Sequence, residues 1–261
     1  MLQLSFSLFD LEYFLLILVR VSCFVFISPF FSIDGAPNHV KIGLSVFTSL
    51  LIYEIITPAE FPVTYNTVTG YAVIVLKEAI AGLLLGFGAS LCTMIVNFAG
   101  SVIDMETGLS MSTRFDPTTM QSTSITGAFY QYIIMMMMIV TGMYRYLLGA
   151  LADSFILIPV NGVVFRTESL LTSMIEFMAD YIVIGFRICL PVFCVMMLLN
   201  AILGILAKVS PQMNMFAVGI QLKIVVGLAV IFFTTSMLPG ASDFIFQEMK
   251  KMITAFAGGM M

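Results

Sequence analysis

The chain has 261 residues, 60% of them hydrophobic and only 10% charged, with a net charge of −4. A soluble domain of this size needs far more charge to cover its surface, so the composition excludes one and points to an integral membrane protein. The acidic balance excludes nucleic-acid binding, which relies on clustered Lys and Arg.

The apolar runs predict an all-α integral membrane protein with about six long hydrophobic helices, three before a polar central stretch and three after it. The first run, residues 11–31, holds the first basic residue, Arg20, and no basic segment precedes it, so no cleavable leader is expected. Ser28-Pro29-Phe30-Phe31 ends it, because proline restricts its predecessor and lacks an N–H. A short connection with Asp34-Gly35 and Pro37-Asn38 leads to a second run, 41–57, which Pro58 and Pro62 close. The third run, 71–99, would reach roughly 43 Å as one helix and overshoots a hydrocarbon core. Glu78, Gly82, Gly86 and Ser90 recur every four residues on one of its faces. Gly82 and Gly86 there predict close packing against a neighbouring helix.

Residues 100–127 are rich in Ser and Thr and carry Asp104, Glu106, Arg114 and Asp116. They are too polar to cross a bilayer and too rich in Met, Leu, Ile and Phe for an idle linker, which predicts an ordered loop with a function. Met105, Leu109, Met111 and Phe115 could form a deformable apolar seal, Gly108 permits a sharp bend, and Asp116-Pro117 fixes the return.

Ser124 is placed to cap the fourth run, 125–148, whose tract Met135-Met136-Met137-Met138 reads as adaptable packing or as a methionine seal. Residues 149–173 read as loop, with Pro159-Val160-Asn161-Gly162 as a turn. The fifth run, 174–207, holds Arg187 and Pro191 near its middle and forms a helical hairpin with the sixth, 215–238. The tip of that hairpin carries Lys208, Pro211, Gln212 and Asn214, with Phe216 just beyond, a polar turn suited to touching a partner loop. The tail, 241–261, alternates apolar and charged residues as an amphipathic helix does.

Arg20, Lys77, Glu78, Arg187 and Lys223 fall at membrane depth, where charge is costly. Either they line a proton or solute path, or they are buried against protein and water in an assembly whose helices do not simply face lipid. Cys23, Cys92, Cys189 and Cys194 sit inside apolar runs without metal-ligand spacing, which favours packing. The lone His39 lies in a turn, and no catalytic motif occurs. No catalytic residue, cofactor site or metal site is expected.

Four blocks carry a resemblance. They are Arg20 with Ser28-Pro29-Phe30-Phe31, Pro37 and Val40-Lys41-Ile42-Gly43-Leu44; Ala81-Gly82-Leu83-Leu84-Leu85-Gly86-Phe87; Gly108-Leu109-Ser110 with Phe115-Asp116-Pro117; and Ser210-Pro211-Gln212 with Phe216-Ala217-Val218-Gly219 and Val226-Gly227. In order and spacing they resemble the FliR/SctT family of type III secretion export-gate proteins, from Arg20 to about Pro239.

The resemblance implies a structural channel subunit in a bacterial inner membrane, at the flagellar basal body. It would assemble with FliP-like and FliQ-like subunits and an FlhB-like protein, and pass unfolded flagellar export substrates. It implies a FliP-like part over residues 1–173, including the plug loop 100–127, then a FliQ-like hairpin over 174–240 and the tail 241–261. It also implies a cytoplasmic hairpin tip. Ile220-Gln221 stands where many relatives have Phe-Pro. The alternatives are the injectisome SctT equivalent, or a proton-coupled small-solute transporter using Arg20, Glu78, Arg187 and Lys223.

Overall fold

In a computed structural model, residues 8–32, 37–56, 67–112, 114–116, 121–210, 212 and 215–261 are described. Among them are eight α-helices: α1 (Leu8–Ile27), α2 (Asn38–Ile55), α3 (Val68–Thr107), α4 (Ile125–Val140), α5 (Met143–Leu157), α6 (Thr167–Val209), α7 (Met215–Thr234) and α8 (Leu238–Gly259). Short 3-10 turns cover Leu109–Ser112 and Thr235–Met237, and two three-residue strands, β1 (Arg114–Asp116) and β2 (Gln121–Thr123), pair antiparallel. The protein is an all-α membrane protein.

Among the described residues, three helical stretches are long and apolar enough to cross a membrane, Val68–Thr107, Thr167–Val209 and Val218–Gly259, with α4 and α5 a fourth if that bent pair counts as one span. The expected six is therefore not reproduced. The first run forms a helix that turns Arg20 inward, and the second buries Ser45 and Ser49. Their hydroxyls bond back to the carbonyls of Lys41 and Val46. The fourth run does not continue to 148: α4 ends at Val140 and α5 starts at Met143, and Gly142 between them has a φ of +71° that suits glycine. Residues expected as loop are partly helical, since α5 runs to Leu157 and α6 already starts at Thr167. Pro239 sits in the first turn of α8, where its missing N–H costs nothing.

The chain forms two compact units, each drawing on separate stretches. In the first (Met1–Leu91, Gly142–Phe177, Glu248–Met261), Tyr53 of α2 meets Tyr13 and Phe14 of α1 at ring separations of 6.3 and 6.1 Å. Helix α1 lies so close to α3 that a Cβ on Gly82 would sit 2.2 Å from the Arg20 carbonyl oxygen, and one on Gly86 3.0 Å from that of Phe24. Gly88 faces Phe256 of α8. The amides of Val164 and Arg166 donate to the carbonyls of Met260 and Gly259, at 3.0 and 2.9 Å, fixing the end of α8.

In the second unit (Cys92–Thr141, Met178–Gln247), α6 and α7 form the expected antiparallel pair. A Cβ on Gly219 would lie 3.5 Å from Leu203, and one on Gly227 3.2 Å from Met196. Gly227 also admits the Thr107 methyl at the end of α3, and Gly185 admits the Phe98 ring.

Candidate functional site

The central stretch begins as helix. Helix α3 runs through Gly100 and Asp104 to Thr107, so the loop proper starts at Gly108, whose φ of +83° no β-branched residue would tolerate. After the 3-10 turn, the hairpin pairs Arg114 with Thr123, Phe115 with Ser122 and Asp116 with Gln121. The chain then enters α4 through Ser124, whose hydroxyl accepts from the Gly127 amide at 2.8 Å.

Two contacts clamp the base of this excursion. The first is steric: a Cβ on Gly100 would lie 2.2 Å from Gly127 N and Cα, so α3 and α4 cross with backbones in contact. The second is polar. The carboxylate of Asp104 accepts from the Thr126 amide at 3.3 and 3.2 Å and from the Thr126 hydroxyl, with both residues buried. Together Ser124 and Asp104 satisfy two of the four amides that α4 leaves open at its start, and the negative charge complements the helix dipole. Residues 22 positions apart are thereby joined.

Of the predicted seal residues, Met105 is exposed, Leu109 is half-buried and Gly108 forms the bend. Phe115 and Asp116 are placed by backbone in β1. The side chains of Met111, Phe115 and Asp116, and all of Pro117, lie outside the described residues. At the hairpin tip Lys208 is exposed in the last turn of α6, where a cation suits the helix dipole. Gln212 is exposed as well, and Phe216 is placed by backbone in α7. Pro211 and Asn214 lie outside the described residues.

The five charges expected to be buried divide. Arg20 and Glu78 are fully buried and paired, Nε to Oε2 at 2.6 Å. Arg20 Nη1 also donates to the carbonyls of Ser154 and Ile158, at 3.2 and 3.0 Å, closing the C-terminal end of α5. Its guanidinium stacks over Phe155, 4.2 Å from the ring centre. The second Glu78 oxygen accepts from the Asn161 amide at 3.0 Å. This network joins α1, α3, α5 and the following turn. Lys77 and Lys223 are only half-buried and Arg187 is exposed. Within the single chain the long stems of these three let the charge leave the apolar face.

The profile of the family described as "Bacterial export proteins, family 1" matches residues 11–249. The chain belongs to that family. It is 29% identical over 227 residues to "Flagellar biosynthetic protein FliR" of Bacillus subtilis, covering 86% of each chain. It is 26% identical over 218 residues to the protein of the same name from Buchnera aphidicola subsp. Acyrthosiphon pisum, covering 83% of this chain and 82% of that one. It is also 29% identical over 161 residues to "Surface presentation of antigens protein SpaR" of Shigella sonnei, covering 61% of each.

This member of the bacterial export proteins is accordingly a FliR-family component of flagellar biosynthesis and type III secretion. It is a multi-pass inner-membrane protein, and its family is a structural part of the export apparatus. The family match spans the central excursion, the Arg20–Glu78 network and the hairpin. Sequence reasoning named Asp104 only as one charge of the polar stretch and missed its pairing with Thr126, although Gly100 and Gly127 at the ends of that stretch were a usable sign that the chain closes on itself there.

Proposed function

We propose that the protein is a channel subunit of the flagellar type III export gate, assembling with FliP-like and FliQ-like chains. Unfolded flagellar proteins pass through the assembly, and the excursion after Gly108 plugs its resting pore. One observation carries this reading: the excursion springs from a rigid base, held by the Gly100–Gly127 crossing and the Asp104–Thr126 bonds, and ends in a small hairpin. A pore wide enough for unfolded polypeptide leaks ions unless a deformable element fills it, and a loop on a fixed base can move without unfolding the helices beneath it. Deleting residues 110–116 is expected to raise the ion conductance of the assembled gate in planar bilayers while leaving its subunit composition unchanged. Unchanged conductance in an intact complex rules the plug out.

The hairpin tip is the second working surface. Exposed Lys208 and Gln212 at the turn between α6 and α7 suit contact with an FlhB-like protein on the cytoplasmic side. A photocrosslinker at position 212 is expected to capture that chain in whole cells, and capture of other proteins alone moves the contact elsewhere.

A further inference from the structure

The second unit holds a cavity of about 240 Å³ where α6, the end of α7 and the start of α8 meet. Its lining is mainly apolar, with Ile184, Ile188, Pro191, Met237, Leu238 and Phe244. The lone formal charge in that lining is Arg187. Its guanidinium lies 5.4 Å from the centre of the Phe244 ring, it is exposed, and among the described residues no carboxylate pairs with it. Pro191 has no N–H, so the Arg187 carbonyl also lacks its usual partner one turn on.

Depth decides what such a site takes. Gly219 meets Leu203 and Gly227 meets Met196, and extending that antiparallel register brings Thr235 level with Arg187. Helix α7 has 20 residues, about 30 Å, the thickness of a hydrocarbon core. Arg187 therefore stands one hydrocarbon thickness from the Lys208 tip, beside the polar run Thr234-Thr235-Ser236, and with that tip at one face of the bilayer it falls at headgroup level on the other. Tyr130 in the same lining is a residue type suited to that level. The cavity is too small for a helix but admits a length of single acyl chain.

We infer that this cavity binds one anionic phospholipid, its phosphate on Arg187 and part of an acyl chain against Ile188, Met237 and Leu238. The test is native mass spectrometry of the purified complex, after exchange into an equimolar mixture of phosphatidylglycerol and phosphatidylcholine with identical acyl chains. The wild-type complex is expected to retain one phosphatidylglycerol with about fivefold preference, the factor that one interfacial arginine supplies. Arg187→Gln abolishes the preference, and Ala241→Phe, which fills the cavity, abolishes retention of both lipids. Arg187 is exposed, so its variant decides the matter even if Ala241→Phe does not fold. A preference that survives in Arg187→Gln overturns the assignment. So does an Arg187→Gln complex that sheds a protein subunit with its lipid count unchanged, which places a partner's carboxylate on the arginine instead.

Discussion

Glu78→Leu is expected to destabilise the protein by about 3–5 kcal/mol, because it leaves the Arg20 guanidinium buried and uncompensated. The local geometry makes the loss hard to relieve. Arg20 is wholly enclosed, and its backbone carbonyl lies against Gly82, so α1 cannot slide to bring the charge to water without parting from α3. The Asn161 amide loses its acceptor in the same variant. Unfolding of the detergent-purified protein in guanidinium, followed by circular dichroism, reads the effect as a lower midpoint. Removing both charges in Arg20→Met/Glu78→Leu recovers part of the loss, since an apolar pair of similar volume is close to neutral. Recovery stops short because the carbonyls of Ser154 and Ile158 lose their donor. This series also separates a structural pair from a solute path. A path residue would lose transport with its midpoint unchanged, and an unchanged midpoint in Glu78→Leu would return Arg20 and Glu78 to that alternative.

The class of fold was legible because it depends on composition and on run length, which are local. The small-residue face of α3 was legible for a related reason: Gly82 and Gly86 lie one helical turn apart, and a glycine pair at that spacing serves close approach. Pairings across the chain were not. Adjacent Lys77 and Glu78 point apart on a helix and do not pair, while the partner of Glu78, Arg20, lies 58 positions away. The limits of the central loop were misplaced for another reason. Residues 100–107 look polar in a linear window, yet Ile103, Asp104 and Thr107 are buried on one side of the helix and Ser101 and Met105 are exposed on the other. Hydrophobic periodicity over so short a stretch cannot distinguish a helix end from a loop. The break between α4 and α5 was equally hidden, since only Thr141-Gly142 marks it within a largely apolar run.

Gly100→Val is expected to have the other large effect, and through backbone rather than side chains. With a Cβ only 2.2 Å from Gly127 N and Cα, α3 and α4 must separate by more than roughly 1 Å to restore ordinary contact. That separation stretches the bonds from Thr126 to Asp104, which are already 3.2 and 3.3 Å at the amide. Overpacking alone costs about 1–3 kcal/mol, and loss of the Asp104 cap adds about 0.5–2 kcal/mol. Gly149→Ala is the contrasting variant. It lies within α5 with nothing within 4 Å of the added methyl, so removing glycine's unfolded-state entropy should stabilise the protein by about 0.4–1 kcal/mol. Opposite shifts in unfolding midpoint for two glycines of the same chain would show that close approach at the crossing, and not helix propensity, sets the requirement at position 100. If Gly100→Val unfolds at the wild-type midpoint, the clamp is too weak to serve as the fixed base of a moving plug.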